Sequence, residues 1–291
     1  MRNMTKKIFS IGNFALSNIY VEKNQVARDA FCGTNYRVAL ACALLSQPLS
    51  CFSKVGPEPI WNKLFSGLKR LGVECEIGRE LEQTIRFNWH YKDHKLFDLD
   101  SEGLEQMALI TTDFNKRNQD LSDFDLINVC PLGFDNERLI INRLAALRKK
   151  TIISYIFHYS NLGKVAKKEY LDLFESVDYL FLNEVEALSL TDSKKIDQAG
   201  EILSQRAKTC VITQGDRGVQ VYHKAKKRSS LKSMQMNNVV DTSGAGDIFA
   251  GGVIVGLANG KSIEAACRQG TILAGASTTN YLTKGLESLV L

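Results

Sequence analysis

No C-x-x-C pair occurs anywhere in the chain, and its seven cysteines are scattered and odd in number. That argues against a disulfide framework or a zinc site and for reduced thiols in the cytoplasm. Long apolar runs are missing too. The longest near the C-terminus, IFAGGVIVGLA, is about half a membrane span and reads as a buried helix. The basic start MRNMTKKIFSIGN has too short an apolar core for a signal peptide. Neither sign of charge dominates: 37 Lys and Arg against 32 Asp and Glu leave a net +5. No basic stripe is interleaved with aromatics, so no nucleic-acid partner and no membrane partner are expected. The one dense basic cluster, HKAKKRSS (223–230), reads as a solvated hairpin tip. No repeat, low-complexity tract or Pro/Ser-rich linker divides the 291 residues, which suit one α/β domain spanning 1–291.

Strand-like and helix-like segments alternate through the chain. KKIFSIGN, LSCFSKVG, FDLINVCP, TIISYIFH, DYLFLN and TCVITQG read as buried strands. NYRVALACALLS, IWNKLFSGLKRLGV, NERLIINRLAALRKK, KKEYLDLFESV and KKIDQAGEILSQRA carry helical apolar spacing, with Gly72 as a helix C-cap. This alternation predicts a mostly parallel sheet covered on both faces. QTIRFNWHYKDHKLFDLD (83–100) instead alternates like a small antiparallel hairpin. Together with residues 13–36 it forms a predicted lid.

Chemistry concentrates in DTSGAGDIFAGG, where Gly244, Ala245 and Gly246 precede Asp247 at the start of a helix. Glycines let a backbone approach a ligand closely, and the first helical N–H groups have no internal partner. With the helix dipole they make an anion seat. A carboxylate beside such a seat suits a general base better than an anion ligand. An acidic residue that merely complements the dipole, with small residues for close packing, fits the same residues, and they alone do not decide. The stretch is not G-x-G-x-x-G, since Phe249 stands at the third glycine. GLANGKS (256–262) is one residue short of a Walker A loop and reads as a helix end followed by Ser262 as the next N-cap.

DTSGAGDIFAGG resembles the C-terminal signature of the PfkB/ribokinase-type carbohydrate kinases. Other family landmarks follow in order: NEVEA at Asn183 and Glu186, and VITQGDRG at Thr213, Gly215 and Gly218. CFSKVGPE and LKRLGVE resemble early parts of the same family. The resemblance covers nearly the whole chain. It implies a three-layer α/β/α ribokinase-like sandwich with a small β lid, ATP as phosphoryl donor and Mg²⁺. It makes Asp247 the base and the Gly244–Gly246 amides the anion hole. Asn183 and Glu186 would order Mg²⁺ and its waters, while Thr213, Gly215 and Gly218 would line the nucleotide. Asp241 would hold the loop, beside a monovalent cation.

The acceptor half departs from the family. Ser17, with Asn18 beside it, stands where an Asp usually grips sugar hydroxyls. The G-G-x-x-x-N element becomes Cys32, Gly33 and, at the Asn position, Arg37. The D-P-N element is replaced by Ile156 and His158 in SYIFHYS, and Gly270 takes the adenine-side Asn position. Substrate binding is expected at Ser17, Gly33 and Arg37. Arg37 is a permanent charge: it suits an anionic acceptor, or it pairs with a lid acid such as Glu22 or Asp29, or it lies on an exposed helix face. The expected activity is phosphorylation of a hydroxyl on a sugar-like small molecule. A nucleoside kinase and a non-catalytic nucleotide-binding relative are the alternatives. A homodimer through the lid is a further expectation.

Overall fold

The structure is a computed structural model that describes residues 6–79, 81–92, 95–116, 120–147, 150–158 and 165–290. The predicted hairpin turn at 93–94, the helix end at 148–149 and Tyr159–Ser160 of SYIFHYS lie outside the described residues.

The first third of the chain runs β1 (Ile8–Ile11), β2 (Ala15–Val21), β3 (Asn24–Cys32), α1 (Thr34–Leu44), β4 (Leu49–Lys54), α2 (Ile60–Arg70), β5 (Val73–Gly78), β6 (Arg86–Lys92) and β7 (Lys95–Glu102). The middle runs α3 (Met107–Lys116), β8 (Leu126–Val129), α4 (Phe134–Ala145), β9 (Ile152–Ile156), α5 (Lys167–Phe174), β10 (Tyr179–Asn183), α6 (Glu184–Thr191) and α7 (Ile196–Arg206). The last third holds β11 (Thr209–Thr213), β12 (Val219–His223), β13 (Lys226–Leu231), α8 (Ala245–Ala258), α9 (Ile263–Ser277) and α10 (Lys284–Glu287).

Among these residues a nine-stranded sheet runs β13-β12-β11-β10-β9-β8-β1-β4-β5. Its pairs from β5 to β11 are parallel; β12 and β13 close it as an antiparallel hairpin. The strands are buried on both sides, and alternate residues feed two cores. Ile8, Leu126 and Val211 pack with residues of α1, α2, α8 and α9. Phe9, Ile127 and Ile212 pack on the other face with α3, α4, α5 and α7. A chain that reads as continuous apolar strands therefore folds as three layers.

The lid is a second sheet, β3-β2-β6-β7. Its segments are 15–32 and 86–102: the first is shorter than the predicted 13–36, with Thr34 already starting α1, and the second lies two to three residues later than the predicted 83–100. β6 and β7 form the expected antiparallel hairpin. Tyr91 clasps the lid to the body: its hydroxyl lies 3.1 Å from Ser243 Oγ, and its ring meets Tyr281 edge-on at 5.1 Å.

α8 is buried all round from Ile248 to Ala258. Its glycines answer the puzzle of its composition. A Cβ on Gly251 would press on α1 at Val38 and Ala41, and one on Gly252 would press on Gly270 of α9. Small residues let three helices approach closely and fix where α8 begins. Ser262 caps α9 through its Oγ, accepting from the Ala265 N–H at 3.2 Å. No helix among the described residues is long and apolar enough to cross a membrane.

Candidate active site

A cavity of about 820 Å³ opens at the C-terminal ends of β9, β10 and β11, beneath the lid. Open α/β sheets bind ligands at this place. Ile156 ends β9 and His158 follows it, Asn183 ends β10, Thr213 ends β11, and all four line the cavity. The N-terminus of α8 contributes Gly244, Ala245, Gly246 and Asp247, and the lid contributes Trp89. An apolar part of the lining comes from Phe249, Val219, Met234, Met236, Ala274 and Gly275. The cavity thus joins polar groups with an apolar surface suited to a flat ring.

Gly244 is the N-cap of α8 at φ 79°, ψ 0°, a left-handed backbone open to glycine at little cost. The Ala245 amide N–H turns back onto the Thr242 carbonyl at 3.2 Å, and the Asp247 N–H onto Gly244 O at 3.1 Å. Among the described residues the Gly244 and Gly246 amides have no acceptor. Two N–H groups, rather than three consecutive ones, are therefore open at this turn.

Asp241 holds the loop before α8. Its Oδ1 accepts from the Ser243 N–H at 2.9 Å and its Oδ2 from the Leu282 N–H at 2.7 Å. Both oxygens face backbone donors, and Asp241 does not line the main cavity. Asn183 caps α6: its Oδ1 accepts from the Glu186 N–H at 2.9 Å, while Glu186 Oε2 accepts from the Asn183 N–H at 2.8 Å. Gly215 sits at φ 61° and Gly218 at φ 98°; a Cβ on Gly218 would collide with the Leu231 carbonyl.

Arg37 lies in the first turn of α1, is 4 % exposed, and lines the cavity. Its partner is Asp247, with Nη1 at 3.0 Å from Oδ2. Thr34 Oγ1 donates to the same oxygen at 3.3 Å. Nη2 donates to Cys32 Sγ at 3.4 Å. Burial disfavours the charge, but Cys32, Asp247 and Asp241 more than offset it, and the guanidinium stays protonated. The exposed-helix-face reading of Arg37 is therefore corrected. So are the lid acids as its partners: Asp29 pairs with Arg86 and Arg28 instead.

The structure does not bring the other predicted acceptor residues to the cavity. Ser17 is fully buried in β2 and accepts the Trp89 indole N–H at 3.0 Å. Gly33, at φ 100°, packs on the Asn13 carbonyl and shapes the turn into α1. Gly270 is buried against Phe249 and Val253 of α8; Thr271, Ala274, Gly275 and Thr278 line the cavity from α9 instead. Sequence reasoning missed Trp89 as a cavity residue, although its place in an alternating, half-buried lid strand was visible.

A doubly covered parallel sheet with its cavity beneath a β lid is the architecture of ribokinase-like kinases. The chain belongs to the pfkB family carbohydrate kinases, whose sequence pattern matches residues 32–288. It is 27% identical over 241 residues to a cytidine kinase of Thermococcus kodakarensis, covering 80% of this chain and 82% of that one. It is 25% identical over 283 residues to a fructoselysine 6-kinase of Shigella flexneri, covering 95% and 98%. Its fold matches a ribokinase from Cryptococcus neoformans solved in complex with ADP, with TM-score 0.74, 16% identity and coverage of 97% and 96%.

Proposed function

We propose that this kinase transfers the terminal phosphoryl group of ATP to a hydroxyl of a sugar or sugar-like molecule, with Asp247 as general base. The observation that carries the reading is the joint placement of Asp247 and the open Gly244 and Gly246 amides in one cavity with Asn183 and Glu186. The ADP complex of the fold neighbour supports the choice of nucleotide. Thr213, Gly215 and Gly218 would flank the nucleotide, and the apolar wall around Phe249 would hold its base.

The residues present also fit Mg²⁺. This ion keeps much of its water and takes one or two carboxylates beside substrate phosphates. Glu186, buried at the cavity wall, and Asn183 supply oxygen donors of that kind. No cluster of three His, Cys, Asp or Glu that would form an all-protein metal cage occurs among the described residues. ATP would supply the phosphoryl group, and Mg²⁺ held at Glu186 and Asn183 would offset its negative charge. Asp247 accepts the acceptor's proton, and the two amides donate to the phosphoryl oxygens as charge builds on them. Asp241 keeps the loop in place, including for any monovalent cation bound beside it.

A nucleoside acceptor is the second reading. The Trp89 face in the cavity offers a stacking surface for a base, and the cytidine kinase relative points the same way. A purely nucleotide-binding role would leave Asp247 only as the counter-ion of Arg37. The reading includes action in the cytoplasm, supported by cysteines that are all free. It also includes pairing of two copies through the lid, supported by exposed Val26, Phe97 and Leu99 on its strands. The test is ADP release with pentoses, hexoses, sugar acids, sugar phosphates and nucleosides. Acceptor-dependent ADP with a phosphorylated product supports the reading; ATP binding without turnover on any of them overturns it.

A further inference from the structure

The Asn of the family's G-G-x-x-x-N element is replaced by Arg37. A charge this deeply buried needs a partner. Its partner comes from the protein itself, at the carboxylate read above as the base.

We infer that Arg37 is a positioning residue for the base, not an acceptor anchor: with Thr34 it grips Asp247 by Oδ2 and leaves Oδ1 to meet the acceptor hydroxyl. This rests on the kinase reading of Asp247. Two donors converge on Oδ2, at 3.0 Å from Arg37 Nη1 and 3.3 Å from Thr34 Oγ1. Among the described residues Oδ1 receives no hydrogen bond. A carboxylate held by one oxygen loses its free rotation and presents the other in one direction. That removes an ordering cost from the proton transfer.

The guanidinium is itself held fast. Nη2 is tied to Cys32 Sγ, and Nε and Cζ lie against Gly244, where any Cβ would collide with them. The same glycine that turns the anion seat thus makes room for the arginine. Since Arg cannot lose its proton at ordinary pH, it holds Asp247 without competing for the proton being moved. An anionic acceptor at Arg37 would compete with Asp247 for the guanidinium and loosen the grip on the base. The expected acceptor is therefore neutral at the end that meets Arg37, the opposite of the anionic acceptor suggested by sequence.

Two measurements test this. The first is steady-state kinetics of the unmodified enzyme, Arg37→Gln and Arg37→Lys with D-ribose, D-fructose, cytidine, adenosine and D-fructose 6-phosphate. The expected result is a neutral acceptor for which Arg37→Gln lowers kcat about 10²-fold, the scale of a misplaced reacting group. Acceptor KM stays within about threefold, and Lys restores part of kcat by replacing the charge. ADP binding by calorimetry shows that each variant is folded. The second is a double-mutant melting cycle with Arg37→Gln and Asp247→Asn, where non-additive shifts are expected because the two residues touch.

Preference for the anionic acceptor, with Arg37→Gln raising its KM and sparing kcat, would overturn the inference and leave the kinase reading standing. Additive melting shifts would overturn it as well. If no acceptor turns over with the unmodified enzyme, the kinase reading fails. A coupled melting cycle would then mark a structural ion pair, and the positioning role would fall with the reaction.

Discussion

Glu186 returns its carboxylate to the backbone of Asn183 while facing the cavity, so one side chain both caps a helix and borders the cavity. The reciprocal bond from the Glu186 N–H to Asn183 completes a capping box. A glutamine can accept the same backbone hydrogen bond, whereas alanine cannot. Glu186→Gln is therefore expected to melt near the parent temperature while needing more Mg²⁺ for half-maximal turnover. Glu186→Ala should lose about 1 kcal/mol of stability as well, the usual worth of a cap. Thermal melts and Mg²⁺ titrations of both variants separate the two roles. Superimposable titrations would reduce Glu186 to a cap.

Asp247→Asn keeps the shape of the side chain and removes its proton affinity. Turnover should fall about 10²–10⁴-fold, the range for a positioned base, while ADP binding persists. The variant also leaves the Arg37 guanidinium buried beside a neutral amide. Removing one side of a buried pair typically destabilises by about 3–5 kcal/mol. Asp247 is partly exposed, at 17 %, so the loss should fall at the lower end. Near-normal turnover in this variant would remove Asp247 from the reaction.

Glu287 gives a pH prediction. It is buried in α10, and its Oε1 has no hydrogen-bond partner among the described residues. Burial pushes its carboxyl from the ordinary 4.5 up to about 7, offset in part by Tyr36, Lys284 and Arg37. Between those two values the folded state binds more protons than the unfolded one. Stability therefore falls as pH rises through that window, by roughly 3 kcal/mol in total, and the loss is complete above about pH 8. Glu287→Gln should match the parent near pH 4.5 and melt at a higher temperature at pH 8. Parallel curves of melting temperature against pH would exclude Glu287 as the source.

Much of the fold was legible because its signals are local. Strands such as DYLFLN are short buried runs, and each alternates with a helix of clear apolar spacing. The residues that line the cavity from β10 and α8 were legible for the same reason: Asn183 and Glu186 are three residues apart, and Gly244 to Asp247 are contiguous. α6 escaped notice because it begins directly after the last residue of β10, with no loop to announce it. The acceptor half was not legible because its meaning lies in long-range pairs. Arg37 and Asp247 are 210 residues apart, and Ser17 and Trp89 are 72 apart. Nothing near Ser17 in sequence says that its hydroxyl is taken by an indole across the lid. Gly270 was misplaced because helix register decides which face of α9 meets the cavity, and a one-residue shift turns that face by about 100°.

Gly244 and Gly246 differ by two positions and should respond to alanine in opposite ways. At Gly244 the backbone is left-handed, and a Cβ would strike the Arg37 guanidinium. Gly244→Ala therefore carries both a conformational cost and a steric one against a buried, ion-paired side chain. Lower melting temperature and lost turnover are expected together. At Gly246 no φ conflict exists, and a Cβ would find nothing within 4 Å. The residue lies inside α8, where alanine is favoured over glycine by roughly 0.5–1 kcal/mol. Gly246→Ala should thus melt at or above the parent temperature. Yet its methyl group would stand at the cavity-lining turn, where the proposed function has the free amide donate to a phosphoryl oxygen. Nucleotide affinity or turnover should fall while stability does not. Melting curves, ADP calorimetry and ADP-release rates on the two variants check the contrast. A fully active Gly246→Ala enzyme would show that the phosphoryl group lies elsewhere, and the anion-seat assignment would be lost with it.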